Sequence, residues 1–325
     1  MTAVVVTFNP QPGVREVLDV DLSDLAKICY LAEVAECDRL KILSAADVVF
    51  AWDLAYELTS SAEFDALHAA KLIQILSAGV DGLPFGQLPP GVLVASNASA
   101  WAEPIAEHVL AMTLALAKRL PERHSDLQRG RFTQQIPNRE IRGSVVGIVG
   151  FGGIGLATGK LFRAFGSSIH AITRTGCSDD ADWAGTLKDL DALLAVADVV
   201  VLSIPLNRAT RDLIGQRELS LMKPDAILIN VARAHIIDED ALFQHLRRNP
   251  EFSTGLDVWW QEWRPEFSRR PLLELPNVLG SPHVSANTHG SMLAAMRHAT
   301  ANIRRALRNE TVHHLADRRD YVERP

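Results

Sequence analysis

The stretch Val146–Phe162, VGIVGFGGIGLATGKLF, decides the fold. It opens as an apolar strand and passes through Gly150-x-Gly152-x-x-Gly155 into a helical pattern. Alone, that spacing is a weak signal. Between a strand and a helix that feeds a second strand, it becomes a strong one for a dinucleotide site. Gly150 permits the tight turn, Gly152 lets the backbone approach a pyrophosphate, and Gly155 lets helix and strand pack closely. Phe151, Gly153 and Ile154 complete the turn, where the helix start offers free N–H groups and a positive dipole end to phosphate. The competing reading is a glycine turn with a structural role only.

Outward from this turn, short β-branched runs alternate with helical patterns along the whole chain, the signature of parallel sheets flanked by helices. One set comprises Val4–Phe8, Val48–Trp52, Leu72–Ser77 and Val92–Ser96. A second comprises Ser144–Gly150, Ser168–Thr173, Val199–Ile204, Ala226–Asn230, Ser253–Val258 and Asn277–Ser281. Runs so uniformly apolar are buried on both faces. An Ala/Leu-rich helix is expected over Glu103–Arg119, between the sets. The fold class is α/β, with doubly wound parallel sheets.

A length of 325 residues suits about two domains. With 47% apolar and 22% charged residues, cores form without staples. A net charge of −6 argues against nucleic acid as the main partner, and Arg304, Arg305 and Arg308 read as a solvated helix face. Cys29, Cys37 and Cys177 suit neither a disulfide framework nor a CxxC metal pair, so a reducing compartment and no metal centre are expected. MTAVVVTFNP reads as a first strand rather than a signal peptide, because no basic region precedes it. The most apolar segment, Val109–Ala117, is too short to span a bilayer. A soluble, cytoplasmic protein without membrane partners is expected.

The end of the strand after the glycine helix bears on the choice of dinucleotide. A carboxylate there holds a ribose 2′-hydroxyl, and an arginine suits a 2′-phosphate. The sequence reads Ala171-Ile172-Thr173-Arg174-Thr175, with no acid at the tip; Asp179 and Asp180 follow in a loop that the sequence does not place. NADP is the expected cofactor and NAD the alternative, with Arg174, Thr173 and Thr175 as 2′-phosphate contacts.

Three later motifs place reactive side chains shortly after strands. NVARAHIIDEDAL carries Arg233, LDVWWQEW carries Asp257 and Glu262, and NVLGSPHVSANT carries His283 after Pro282. In open α/β sheets ligands bind outside the carboxyl ends of strands. With these motifs the chain resembles the D-isomer-specific 2-hydroxyacid dehydrogenase family. The glycine turn matches, and so do Asn230-Val231-Ala232-Arg233, Asp257-Val258…Glu262 and Pro282-His283…Thr288. LSAGVDGL and NASAWAEPIAEHVL fit the family's substrate-loop and crossover-helix segments. Two departures stand out: Ala234 replaces a usual glycine, and Trp263 stands where proline is common.

The resemblance implies two Rossmann-like or flavodoxin-like domains with an active site in the cleft between them. A discontinuous substrate-binding domain, residues 1–98 and 291–325, flanks a NAD(P)-binding Rossmann domain, residues 99–290, with hinges near Ser99 and Gly290. It also implies the roles of single residues. Ile204, Pro205, Thr210, Val231 and Ala232 join the glycine turn as cofactor contacts, and Asp257 meets the nicotinamide carboxamide. Arg233 forks onto substrate carboxylate and carbonyl oxygens, with the N–H groups of Ala78 and Gly79 as a second anchor. His283 donates the proton, and Glu262 binds the other ring nitrogen, fixing the tautomer and favouring the charged form. Trp52 and Trp101 wall the substrate pocket, core packing being an equal reading for Trp52. Trp263 packs against a hinge or a dimer mate.

The implied activity is NAD(P)H-dependent reduction of a small 2-keto acid, of the glyoxylate or hydroxypyruvate type, to the D-2-hydroxy acid, or the reverse oxidation. No Lys or Arg stands between Ile42 and Ala70, where phosphate-using relatives supply basic residues, which favours an unphosphorylated substrate. The alternatives are a non-catalytic, nucleotide-sensing corepressor-like protein and a D-3-phosphoglycerate dehydrogenase. A homodimer is expected.

Overall fold

A five-stranded and a seven-stranded sheet, all their strand pairs parallel, organise the computed structural model, which describes residues 2–262 and 271–321. The chain divides into two compact units, Met1–Trp101 with Thr288–Pro325, and Ala102–Asn287.

The first unit holds β1 (Thr2–Val6), β2 (Ala26–Tyr30), β3 (Val48–Ala51), β4 (Leu72–Ile75) and β5 (Leu93–Ala95), in the order β2-β1-β3-β4-β5. This is the doubly wound order with its reversal between β1 and β3. Side chains alternate across a strand. Val4 and Val6 therefore join Leu18, Leu22, Met296 and Ile303 of the helices Pro12–Leu22 and Ser291–Leu307 on one face. Val5 joins Leu43, Leu54, Phe64 and Leu67 on the other. Both faces are covered, which explains the unbroken apolar runs.

The segment after Leu307 docks beside β5, where Ser96 N–H donates to the His314 carbonyl (3.0 Å) and Ala316 N–H to that of Val94 (2.8 Å). Asn302 clamps the His313 backbone in both directions and donates to Gln74 (2.7 Å). Burial, the neighbouring histidines and Arg305 hold the His298 and His314 pKa values below their ordinary 6.5. A histidine with a lowered folded-state pKa takes up its proton more readily once released. Their contribution to the docking is therefore fully present above about pH 6.5 and is lost as pH falls through the lowered folded values. Amide exchange of residues 312–316, corrected for intrinsic rate, is expected to accelerate on acidification from neutral pH. Unchanged protection would contradict this.

The second unit holds β6 (Val145–Val149), β7 (Ser168–Ile172), β8 (Trp183–Gly185), β9 (Val199–Leu202), β10 (Ile227–Asn230), β11 (Ser253–Leu256) and β12 (Val278–Gly280). Their order is β8-β7-β6-β9-β10-β11-β12, reversing between β6 and β9. The helices Gly153–Ala164 and Ala102–Ala117 pack together through Ala102, Ala106 and Ala157. Leu193, Leu219, Leu242 and Leu246, on three other helices, cover Val200, Leu202 and Leu228. β2 and β8 are absent from the strands expected above; both are sheet edges. No helix among the described residues is long and apolar enough to cross a membrane.

Candidate active site

The glycine turn sits at the reversal of the second sheet. Gly150 has φ +95°, and a Cβ there falls 2.6 Å from the backbone N and Cα of Ile204. The Ser203 hydroxyl donates to the Gly150 carbonyl (2.7 Å), so the strand end of β9 clamps the turn. At Gly155 a Cβ lies 2.4 Å from the Gly150 carbonyl oxygen, which keeps the helix close on its strand. Gly152 differs: a Cβ there meets nothing within 4 Å, and this residue is the N-cap of Gly153–Ala164. Open space lies where first-turn N–H groups lack intrahelical acceptors. These residues fit a dinucleotide pyrophosphate. Gly150→Ala is expected to destabilise the fold by about 1–3 kcal/mol from backbone strain alone, and to abolish nucleotide binding. Thermal unfolding and quenching of tryptophan fluorescence by NADPH check both; wild-type values for either would contradict the clamp.

At the tip of β7, Thr173 takes the Gly176 N–H on its hydroxyl (2.8 Å) while Arg174 and Thr175 are exposed. The loop holding Asp179 and Asp180 returns to the other end of that strand. Arg163 donates to the Asp180 carbonyl (3.1 Å), and Asp182 accepts the Ile169 N–H (2.7 Å) near the start of β7. Arg174 is thus the charged side chain that follows the tip.

Ile204 and Pro205 follow the end of β9. Thr210 lies in the turn that follows β9. It is buried, and its hydroxyl donates to the Pro205 carbonyl (2.7 Å) and accepts the Asn207 N–H (2.9 Å). Its polar atom is taken up inside its own turn.

Beyond β10, the buried Asn230 shapes the arginine turn: its oxygen accepts the Ala232 N–H (3.0 Å) and its amide donates to the Arg233 carbonyl (2.9 Å). Arg233 is half-buried and donates to the Ala232 carbonyl (2.8 Å). Ala234 has no positive φ, so alanine fits there without strain.

Arg233, Glu262 and His283 follow the adjacent strands β10, β11 and β12. His283 Nδ1 lies 2.8 Å from Glu262 Oε2, and Glu262 Oε1 accepts the Trp259 N–H (2.7 Å). Burial alone pushes the Glu262 carboxyl up. The His283 hydrogen bond and charge, the Trp259 N–H and the charge of Arg233 outweigh it and hold the carboxyl below its ordinary range. The second ring nitrogen of the half-exposed histidine stays available for proton transfer.

Asp257 directly follows β11. It is fully buried; Oδ1 accepts from the Ser281 hydroxyl (2.6 Å) and the Val284 N–H (3.0 Å), and Oδ2 from the Ser285 N–H (3.0 Å). Its carboxylate braces the loop that carries His283. Trp259 is buried, with its indole N–H on the Ser281 carbonyl (2.8 Å), and Trp260 donates to the Ile237 carbonyl (3.0 Å). Trp263 lies outside the described residues.

In the first unit, Ala78 and Gly79 follow β4 and are half-buried, with the Ser77 hydroxyl donating to the Gly79 carbonyl (2.7 Å). Trp52, after β3, is 48% exposed and lies edge-on to Phe8. Trp101 donates its indole N–H to the Leu76 carbonyl (3.1 Å) and packs on the unit's core. It supports the segment leading into Ala78.

A doubly wound nucleotide-binding sheet bearing an arginine and a glutamate–histidine pair defines a nicotinamide-dependent oxidoreductase. Residues 110–285 match the family model "D-isomer specific 2-hydroxyacid dehydrogenase, NAD binding domain". The chain belongs to the D-isomer specific 2-hydroxyacid dehydrogenase family and is an enzyme of that family. It is 33% identical over 253 residues to glyoxylate/hydroxypyruvate reductase B of Pectobacterium carotovorum, covering 75% of this chain and 78% of the relative. It is 30% identical over 260 residues to D-3-phosphoglycerate dehydrogenase of Methanocaldococcus jannaschii, covering 78% of this chain but only 49% of that one. The chain therefore spans about half the length of that relative. In fold it is similar to a glyoxylate reductase from Paecilomyes thermophila, with a TM-score of 0.79 at 24% identity, covering 97% and 98% of the two chains.

Proposed function

We propose that this enzyme reduces a small, unphosphorylated 2-keto acid of the glyoxylate or hydroxypyruvate type to the D-2-hydroxy acid, using NADPH in preference to NADH. The observation that carries the reading is the bond from His283 to Glu262 beside Arg233, at the ends of three adjacent strands of a nucleotide-binding sheet. When bound, the nicotinamide supplies hydride to the carbonyl carbon. Arg233 forks onto the carboxylate and carbonyl oxygens and stabilises charge developing on the latter. His283 donates the proton to that oxygen through its free ring nitrogen, while Glu262 holds the ring and the compensating charge. Asp257 keeps the histidine loop in place. The first unit is proposed to bind substrate, with Trp52 and the Ala78 and Gly79 N–H groups as its contacts.

Arg174 at the β7 tip, with no acid following it directly, supports the NADPH preference. Comparing kcat/KM for the two nucleotides tests it, with Arg174→Ala expected to lower the NADPH value and spare that for NADH. A clear NADH preference in the wild type would sink this part of the reading. Exposed Leu120, Leu127 and Phe132 along and after the helix Leu120–Gln128 support the expected homodimer, which sedimentation equilibrium measures. The D-3-phosphoglycerate alternative predicts instead a substrate dianion, for which the run Ile42–Ala70 offers no Lys or Arg.

A further inference from the structure

His283 sits at φ +53°, a left-handed conformation that costs a non-glycine residue free energy and persists only where neighbours over-determine it. Four bonds do so. The Ser281 carbonyl accepts from the Trp259 indole (2.8 Å), and Asp257 accepts the Ser281 hydroxyl (2.6 Å) and the N–H groups of Val284 and Ser285 (3.0 Å each). Ser281 therefore grips the loop on the near side of His283, and Val284 and Ser285 on the far side.

One further side chain completes this arrangement from a distant part of the sequence. His108, on the helix Ala102–Ala117, places Nε2 2.9 Å from the Ser281 hydroxyl oxygen and 3.7 Å from Asp257 Oδ1. Ser281 has one hydroxyl proton, directed to Asp257, so its oxygen accepts from His108 and the Nε2 atom must carry a hydrogen. The order of donation is His108 to Ser281 to Asp257. The helix is seated for this contact: Met112, one turn on from His108, packs at Gly255 of β11, two residues before Asp257.

We propose that His108 is a positioning residue for His283, acting through Ser281 and Asp257 on the loop backbone, whereas Glu262 acts on the ring itself. The inference rests on the proton-donor reading of His283. A donor at position 108 fixes the Ser281 rotamer, the Ser281 bond satisfies buried Asp257, and Asp257 holds Val284 and Ser285. Without that donor the loop samples other rotamers and the His283–Glu262 bond is formed less of the time. Among the described residues, the charged and titratable groups bonded or coupled to this loop are Asp257, Glu262, Arg233 and His108.

The test compares His108→Leu, which removes the donor, with His108→Gln, whose amide restores one. His108→Leu is expected to lower kcat about tenfold, since small misplacements of reacting groups are costly, to shift the pH–rate profile, and to leave the NADPH Kd within about twofold. His108→Gln is expected to return kcat to within about threefold of wild type and to restore the profile. Equal losses in both variants would assign a packing role, and a wild-type rate and profile in His108→Leu would leave no role; either overturns the proposal. Should His108→Leu fail to fold, Ser281→Ala removes the same link from the loop side and is expected to give the same shift. Amide exchange at Val284 and Ser285 needs no turnover. If the wild type reduces no 2-keto acid, the functional reading fails, while faster exchange in His108→Leu than in His108→Gln still supports the link and equal exchange refutes it.

Discussion

His283→Ala is expected to lose reduction by roughly 10²- to 10⁴-fold in kcat, the range of a positioned general acid, while NADPH binds as in the wild type. The geometry separates the two effects. His283 follows β12 at the edge of the sheet, whereas the glycine turn lies at the reversal between β6 and β9. Removing the imidazole disturbs neither Gly150 nor the N-terminus of Gly153–Ala164. It removes the proton donor and leaves Glu262 without its partner, so the carboxyl returns toward the value that burial sets. Glu262→Gln keeps the imidazole and replaces the carboxylate that holds its Nδ1 with a neutral amide. Its kcat is expected to fall by less than that of His283→Ala, and a wild-type kcat would show that the pair does not position the ring. Near-normal turnover in His283→Ala would refute the acid assignment.

Arg233→Gln is expected to lower kcat/KM by a comparable amount. Two charge-assisted hydrogen bonds at about 1.5–3 kcal/mol each correspond to roughly 10²- to 10⁴-fold. Arg233→Lys is expected to recover only part of this, because an ammonium keeps the charge and loses the planar fork. Asn230 makes the placement of the guanidinium rigid by tying the Ala232 and Arg233 backbone from within the core. The loss is therefore expected with a series of 2-keto acids and to be small for NADPH binding measured alone. A kcat/KM within about threefold of wild type in Arg233→Gln would show that the carboxylate is held elsewhere.

Much of the scaffold is legible in the sequence for a physical reason. Central strands of doubly wound sheets are buried on both faces, so β1, β3, β4, β6, β9, β10 and β11 announce themselves as continuous apolar runs. β2 and β8 do not; both are sheet edges, as the legible β5 and β12 also are, and what hides them is their own residues. β2 carries exposed Lys27, and β8 is the three residues Trp183-Ala184-Gly185. At the site, Arg233, Glu262 and His283 are readable because each follows a strand within a short motif. What holds them is not readable: His108 and Ser281 are 173 residues apart, and no spacing rule connects them. The bonds that tie Thr210 and Asp257 into their own loops are equally unreadable, since neither residue type nor spacing predicts them.

The most direct test of the central claim is NADPH consumption by the full chain against a panel of 2-keto acids that includes glyoxylate, hydroxypyruvate and a phosphorylated member, followed by chiral analysis of the product. Turnover of a small unphosphorylated keto acid to the D-2-hydroxy acid, lost in His283→Ala, is the predicted result. No turnover on any member while NADPH still binds would contradict the account and leave a nucleotide-binding protein without this chemistry.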